Sequence, residues 1–262
     1  MKIIIVINNK VEHSKEVLAG IKQSFEKSGL SFDVTDIDNP KSGYDFVCAI
    51  GGDGTILKTS RFYAQTSTPV MGINLGRLGF LSLISPKDVE FLGEMIKNKD
   101  YTLRERMMLK SLDCSALNDI VIKGHSSART SKFNLYVNDR LVSDYIADGI
   151  IVSTPTGSTA YGLSAGGPIL HPSLDAMVIV PICAHTMTAR PLVVPASAVV
   201  VIKSSEEKLD MTCDGQTTVK DLNEVRIERN SNKSILAFPN DYKFYTVLRN
   251  KLHWGVSPVS EE

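Results

Sequence analysis

The sequence predicts two domains, an α/β domain with a parallel sheet followed by a β-rich domain. In the first hundred residues, short apolar runs of strand length alternate with stretches whose apolar residues recur at helical spacing. That alternation is the pattern of a parallel α/β sheet. From about Tyr101 onward, short strand-like runs recur with few helical patterns between them. Many short strands separated by turns favour an all-β second domain.

The elements of the first domain follow from apolar spacing and from glycine and proline positions. Phe46 to Ile50 is apolar, too short for a helix and followed by glycine, so it predicts a strand buried on both faces. The same criteria predict strands over 2–7, 32–37 and 69–74, and helices over 14–29, 56–63 and 86–99. The helix after Thr55 would direct its positive end toward whatever the preceding glycine loop holds. We place the first domain boundary at residue 100.

The second domain is predicted from runs of β-forming residues. The predicted strands cover 117–123, 133–137, 149–153, 198–203 and 225–229. The pair Asn138-Asp139 suits a hairpin turn. Residues 242–252 are again helical in pattern, and we expect this tail to pack on the first domain. The predicted divisions are therefore 1–100, 101–232 and a C-terminal segment 233–262.

Composition narrows the class of protein. The 262 residues include 29 basic and 29 acidic side chains, and this balance disfavours a nucleic-acid-binding protein, which usually carries a basic surface. No stretch has the length of a membrane span, and the apolar start lacks the cleavage site of a signal peptide. The cysteines and histidines are scattered, which disfavours disulfides and zinc sites. We therefore expect a cytoplasmic protein with no membrane partner.

A glycine-rich loop follows the strand at 46–50. Gly51, Gly52 and Gly54 allow a tight turn and the close approach of a polyanion to backbone N–H groups. Asp53 is the one charge among them. A carboxylate repels phosphate, so it is better suited to accept a proton or a hydrogen bond from a hydroxyl beside the phosphates. The structural alternative is a strand-to-helix turn with Asp53 as the N-cap.

A second loop, Thr154 to Tyr161, is dense in hydroxyl groups. Its threonine and serine side chains could donate to phosphate or ribose oxygens, Gly157 permits close backbone approach, and Tyr161 supplies an aromatic face. Small hydroxyl side chains are equally common in plain turns. The loop alone therefore leaves a structural and a functional interpretation open.

Together the two loops resemble motifs of the NAD kinase family of bacteria and archaea. The matching segments, in family order, are 51–55 (GGDGT), 76–81 (GRLGFL), 117–119 (LND), 148–149 (DG), 154–161 with 164–168, 190–193 (RPLV), 214–216 (DGQ) and 248–255. The resemblance implies a Rossmann-like N-terminal α/β domain and an all-β C-terminal sandwich. It also implies transfer of the terminal phosphoryl group of ATP, or of another NTP or polyphosphate, to the 2′-hydroxyl of NAD's adenosine ribose, as in NADP biosynthesis.

The resemblance also assigns roles to residues. Asp53 matches the family's proton acceptor. The matched NAD contacts are Asp53, Gly54, Asn118, Asp119, Asp148, Thr159, Ala160, Tyr161 and Ser164. Further ligand contacts would be Lys58, Phe80, Arg129, Thr156, Ser158 and Gln216. Mg²⁺ or another divalent cation would be held through the phosphates, without dedicated protein ligands. A homodimer or homotetramer is expected.

This chain departs from the family pattern at two places. The acidic partner of Asn118 is Asp119, which is shorter than the commoner Glu, and its reach to a ribose is in question. Before Asp148, where many relatives carry a basic residue, this chain has Ile146 and Ala147.

Two other functions are compatible with parts of the sequence. Lipid kinases and phosphofructokinases also carry a Gly-Gly-Asp-Gly loop, although the Thr154–Tyr161 loop and the Asn118-Asp119 pair fit them poorly. A non-catalytic dinucleotide sensor could keep the fold without activity. No P-loop and no protein-kinase motif is found, so the glycine loops are the candidates for holding the nucleotide.

Overall fold

A computed structural model describes residues 1–76, 79–125, 130–185 and 188–253. Its strands are β1 (Ile3–Ile7), β2 (Phe32–Asp36), β3 (Phe46–Ile50), β4 (Val70–Ile73), β5 (Ser82–Ile84), β6 (Tyr101–Arg106), β7 (Leu109–Ser111), β8 (Cys114–Ala116), β9 (Asp119–Gly124), β10 (Ser131–Val137), β11 (Arg140–Ala147), β12 (Gly149–Ser153), β13 (Ala176–Ile182), β14 (Leu192–Pro195), β15 (Val200–Lys203), β16 (Leu209–Cys213), β17 (Thr217–Leu222), β18 (Glu224–Arg229) and β19 (Ser234–Pro239). The helices are α1 (Ser14–Ser28), α2 (Asp53–Tyr63), α3 (Leu92–Asn98), α4 (Tyr161–Ser164) and α5 (Phe244–Leu252).

The chain divides into two compact units. Unit 1 comprises residues 1–104 and 235–262, and unit 2 comprises residues 105–234. The sequence placed the divisions after residues 100 and 232. The C-terminal segment belongs to unit 1, where β19 pairs in parallel with β4.

Unit 1 has an α/β fold, as predicted. Its sheet has the strand order β2-β1-β3-β4-β19-β6, and β5 pairs with β4. The pairs β1–β2, β1–β3 and β3–β4 are parallel, so these strands end at one edge of the sheet. Every residue of β1 and of β3 is buried, which explains their uninterrupted apolar sequences.

The helices of unit 1 cover the sheet with their apolar sides. Ile21 and Phe25 of α1 are fully buried and pack in one cluster with alternate residues of β1 and β3 and with Leu92 and Ile96 of α3. Gly29 ends α1 in the left-handed conformation that favours glycine. The helix predicted from Pro86 begins instead as a 3₁₀ segment, Pro86–Phe91, before α3.

Unit 2 is built from two antiparallel sheets. Their strand orders are β11-β10-β15-β18-β7-β8 and β14-β13-β12-β9-β16-β17. Alternate residues of the two sheets, such as Phe133 and Ile202 from the first and Ile120 and Ile150 from the second, form one buried cluster. The predicted all-β sandwich is therefore confirmed. No helix of the described residues combines the length and the apolar character needed to cross a membrane.

The site described below lies on the outer face of the sheet β14-β13-β12-β9-β16-β17. Over β12 and β13 this face is covered by the segment that ends at Leu170, which packs on Ile151 and Val180. Because β12 is covered on both faces of the sheet, every one of its residues is buried. Over β9 and β16 the same face opens into a cavity.

Candidate functional site

The glycine loop of unit 1 joins β3 to α2. Gly52 is the N-cap of α2, and Asp53 is the first residue of the helix. The structural alternative, in which Asp53 caps its own helix, is therefore wrong. The side chain of Asp53 turns instead to a different segment, residues 79–82, which leads into β5 and includes its first residue.

The Asp53 carboxylate is held by four hydrogen bonds. The backbone N–H groups of Phe80, Leu81 and Ser82 donate to it over 3.0, 3.3 and 3.3 Å, and the Ser82 hydroxyl donates over 3.0 Å. These donors fix the orientation of the carboxylate. They also join two sequence motifs, residues 51–55 and 76–81, that are far apart in the sequence.

The glycines around Asp53 differ in what a Cβ atom at each position would contact. A Cβ on Gly79 would lie 1.9 Å from Oδ1 of Asp53, so Gly79 admits the carboxylate to the loop. A Cβ on Gly51 would lie 2.3 Å from Oγ1 of Thr55. A Cβ on Gly52 would meet no protein atom within 4 Å. Protein packing therefore accounts for Gly51 and Gly79 but not for Gly52.

Three further residues predicted in this part of the chain are located as follows. Gly54 lies exposed in the first turn of α2. Phe80 contributes its backbone N–H to the Asp53 carboxylate. The Lys58 ammonium group is paired with Asp38 over 2.6 Å, and Lys10 approaches the same carboxylate over 2.9 Å. This pairing holds the pKa of Asp38 down at about 2.

In unit 2, three predicted motifs meet at Asn118 and Asp119. The Asp214 carboxylate accepts hydrogen bonds from the N–H groups of Leu117, Asn118 and Asp119 over 3.0, 2.8 and 3.2 Å. From the other side, the N–H of Thr154 donates to the carbonyl of Asn118 over 2.8 Å. The segment that begins β9 is therefore clamped between the 154–161 and 214–216 loops.

Gly157 belongs to this clamp. A Cβ there would lie 2.1 Å from the carbonyl oxygen of Asn118. The sequence assigned Gly157 to the close approach of a ligand. The structure shows instead that the backbone of Asn118 fills the space beside it.

The hydroxyl groups of Thr154, Ser158 and Thr159 form hydrogen bonds within the protein, and contacts of this loop with a ligand stay a prediction. Thr154 is buried and donates to the carbonyl of Leu117 over 2.6 Å. Ser158 is buried, donates to Pro155 over 2.7 Å and accepts from the N–H of Leu170 over 2.9 Å. Thr159 donates to the carbonyl of Thr156 over 3.2 Å. Such bonds satisfy backbone groups that the irregular loop would otherwise leave unpaired.

The clamp borders a cavity of about 920 Å³. Predicted residues in its lining are Asn118, Asp119, Asp148, Ala160 and Tyr161, with Asp214 and Gly215 of the third motif. Among the described residues, Thr156, Ser158, Thr159, Ser164 and Gln216 are not part of this lining. Arg129 lies outside the described residues.

Apart from Asp119, sequence reasoning missed one wall of the cavity. Asp119, Val121 and Lys123 of β9 line it, and so do Asp210 and Thr212 of β16. Thr212 is paired with Val121, and Asp210 with Lys123. These are alternate positions, so they share one face of the sheet. The period-two pattern Asp-Ile-Val-Ile-Lys was a usable signal, and Lys123 supplies a cation to the cavity that the residues before Asp148 lack.

Asp119 is an acid of the cavity whose pKa is strongly raised. Burial, with a contribution from the nearby Asp214 carboxylate, raises its pKa to about 7. Only 5% of Asp119 is exposed. The folded protein binds the proton of the Asp119 carboxyl group more tightly than the unfolded chain does. Protonation of Asp119 therefore stabilises the folded state fully below pH 4, and this stabilisation is lost as the pH rises to 7.

We expect Asp119→Asn to be more stable than the parent chain above pH 7. The amide removes a buried charge, so the gain in melting temperature should grow from pH 4 to pH 7 and then stay constant, reaching several degrees. Thermal unfolding of both chains across this range measures the difference. Equal melting temperatures at pH 8 would contradict it.

Models of one protein family match both units of the chain. The ATP-NAD kinase N-terminal domain model matches residues 4–101, and the C-terminal domain model matches residues 117–238. A curated NAD kinase of Legionella pneumophila (strain Corby) is 43% identical over 80% of this chain and 76% of its own length. That of Caldanaerobacter subterraneus subsp. tengcongensis is 38% identical over 94% of this chain and 92% of its own.

A solved structure supports the same assignment. The crystal structure of an NAD kinase from Archaeoglobus fulgidus in complex with ATP superposes with a TM-score of 0.80 at 27% identity, covering 97% of this chain and 99% of that one. The two domain models together match most of the chain, and its relatives match it across both units. The chain belongs to the NAD kinase family.

Proposed function

We propose that this chain transfers the terminal phosphoryl group of ATP to the 2′-hydroxyl of the adenosine ribose of NAD, giving NADP. Residues 1–100 would bind the phosphoryl donor and residues 101–232 the dinucleotide. The observation that carries the proposal is the cavity of unit 2, because five of the residues matched to NAD contacts line it. Its volume, about 920 Å³, is within the range of small-molecule and cofactor sites.

Asp53 is proposed as the proton acceptor. Phosphoryl transfer asks little covalent chemistry of a protein, so positioning and neutralisation of charge dominate. A carboxylate whose direction is fixed by four donors can orient a hydroxyl and take its proton as the phosphoryl group is transferred.

The donor phosphates are assigned to the N-terminal end of α2. Backbone N–H groups of the first helical turn and the helix dipole favour an anion there. Among the described residues of the 51–55 loop, Asp53 is the one carboxylate, and it is assigned to the acceptor hydroxyl. We therefore assign no protein ligand to Mg²⁺, which would bind through the phosphates and neutralise their charge.

Gly52→Ala tests the donor site. The added methyl group meets no protein atom, so stability should change by less than about 1 kcal/mol. A phosphate that approaches the backbone would be displaced by the same methyl group. We expect the KM for ATP to rise on the order of tenfold, equivalent to about 1.4 kcal/mol of binding.

The neighbouring Gly51→Ala is the control for Gly52→Ala. Its methyl group would overlap Thr55, so we expect it to lower the melting temperature. Steady-state kinetics and thermal unfolding of the two variants separate ligand contact from packing. An unchanged KM for ATP in Gly52→Ala would remove the loop from the donor site.

A matrix of donors and acceptors tests the function as a whole. ATP or polyphosphate is offered with NAD or NADH, and NADP or NADPH is measured by a coupled assay. A diacylglycerol and fructose 6-phosphate are included as acceptors, since the rival kinases would phosphorylate them. Membership of the NAD kinase family does not favour a lipid kinase or a phosphofructokinase. If no product forms with any acceptor, the chain would be a non-catalytic dinucleotide sensor.

The assembly and location of the protein remain predictions from the sequence. We propose a homodimer or homotetramer in the cytoplasm. Light scattering of the purified chain measures the oligomeric state.

A further inference from the structure

One histidine and two aspartates of unit 2 meet where β9, β16 and β17 lie side by side. His125 follows the last residue of β9, Asp210 lies in β16 and Asp221 lies in β17. Their side-chain ligand atoms all lie within 4.8 Å of one another, and no other group of three histidine, cysteine, aspartate or glutamate residues in the described part of the chain meets this condition. The sequence separates His125 from Asp210 by 85 positions, so no local spacing signals the group.

The backbone fixes the relative positions of the three residues. The N–H of His125 donates to the carbonyl of Lys208 over 2.9 Å, and the N–H of Asp221 donates to Oδ1 of Asp210 over 3.2 Å. The pairing of β16 with β17 shifts register at Asp210, and Asp221 has a φ of 61° there. A β-bulge of this kind redirects side chains, and here both carboxylates face the imidazole ring of His125.

The two carboxylates approach the same ring nitrogen. Nδ1 of His125 lies 3.4 Å from Oδ1 of Asp210 and 3.5 Å from Oδ1 of Asp221. A charge-assisted N–H···O bond is about 2.7–2.9 Å long, and a single N–H cannot be aimed well at both oxygens. Around tetrahedral Zn²⁺, ligand bonds of about 2.0–2.2 Å place neighbouring ligand atoms about 3.3–3.6 Å apart. The nitrogen-to-oxygen distances are therefore those of ligands around one zinc ion.

The ligand types also favour zinc over the harder divalent cations. Octahedral Mg²⁺, with bonds of about 2.0–2.1 Å, would draw neighbouring ligands to about 3.0 Å, and Ca²⁺ prefers oxygen to an imidazole nitrogen. We propose that His125, Asp210 and Asp221 form a Zn²⁺ site that holds β17 against β9 and β16, with the fourth position open to water. The site does not rest on the proposed function, and it does not concern the Mg²⁺ of the donor phosphates.

The test uses the full chain after its metal has been removed with a chelator. Zn²⁺ alone is titrated by calorimetry, and thermal unfolding is followed with and without it. No dinucleotide is present, because His125 and Asp210 also line the cavity. His125→Asn and Asp221→Asn each remove one ligand. Both side chains are more than half exposed, and asparagine tolerates the positive φ at residue 221, so both variants should fold.

His13→Asn is the matched control. The exposed ring of His13 also lies beside two carboxylates, but its Nε2 faces Glu12 over 3.7 Å and its Nδ1 faces Glu16 over 3.2 Å. Two different ring nitrogens of one histidine cannot bind the same ion. His13 therefore has similar neighbours without the geometry of a metal site, and its positive φ also suits asparagine.

We expect one Zn²⁺ per chain in the parent and in His13→Asn, and a melting temperature several degrees higher at about 100 times Kd. Affinity should fall by more than about 10–100-fold in His125→Asn and in Asp221→Asn, since loss of even an outer-shell partner costs that much. Co²⁺ bound in place of Zn²⁺ should give the strong visible absorption of a tetrahedral ion without the charge-transfer band of a thiolate, which separates this site from the free cysteines.

Three results would overturn the inference. The first is a parent chain that does not bind Zn²⁺. The second is equal affinity in the parent and in both ligand variants, which would mean an adventitious ion only. The third is a Co²⁺ spectrum of an octahedral ion or of a thiolate complex. None of these results bears on phosphoryl transfer, so the proposed function is tested separately.

Discussion

Asp53→Asn should lower kcat by roughly 10²–10⁴-fold, the usual contribution of a general base, while NAD binding persists. The amide keeps the size of the carboxylate and one acceptor oxygen, but it cannot take a proton from a hydroxyl. It also places an NH₂ group where one oxygen now accepts from the backbone of residues 80–82. The coupled assay for NADP gives the rate, and calorimetry gives the affinity for NAD.

Ser82→Ala is the control for Asp53→Asn, because Asp53 has both a chemical and a structural role to separate. It removes the hydroxyl that donates to Asp53 over 3.0 Å and leaves the carboxylate and the three backbone donors in place. We expect Ser82→Ala to retain most of its turnover. Equal losses in the two variants would mean that Asp53 acts by holding the 79–82 loop. Near-normal turnover in Asp53→Asn would remove it from the mechanism.

The fold of unit 1 could be predicted from the sequence because local patterns and burial agree there. The run Phe46–Ile50 is β3 to the residue, since a strand buried on both faces is continuously apolar and ends where glycines begin. In the second domain, the turn residues Asn138 and Asp139 do join two strands, and both have the positive φ angles that such tight hairpin turns require.

The partners of the site residues could not be predicted in the same way. Asp53 is bonded to residues 80–82, and Asp214 to residues 117–119, across 27 to 29 and 95 to 97 positions of the chain. Such contacts depend on tertiary packing, which a local pattern does not encode. For the same reason, the hydroxyls of Thr154 and Ser158 resembled ligand donors in the sequence. In the fold they satisfy the backbone of their own and neighbouring loops.

Gly157→Ala should lower kcat/KM for NAD on the order of 10²-fold although residue 157 does not line the cavity in the described structure. The new Cβ would lie 2.1, 2.4 and 2.5 Å from the carbonyl oxygen, carbonyl carbon and Cα of Asn118. These backbone atoms cannot rotate away, so Asn118 has to move by about 1 Å, a displacement that can reduce catalysis roughly 10²-fold. Overpacking should also lower stability by about 1–3 kcal/mol.

Gly162→Ala is the matched control for Gly157→Ala, since its Cβ would have its nearest neighbour, the Cβ of Ser153, at 3.7 Å, an ordinary contact. Both glycines belong to the segment that runs past the cavity, yet only Gly157 touches the backbone of Asn118. We therefore expect Gly162→Ala to retain the melting temperature and kcat/KM of the parent chain. A stable Gly157→Ala with unchanged kcat/KM for NAD would show that the position of Asn118 is not critical, and that the clamp between the two loops serves folding alone.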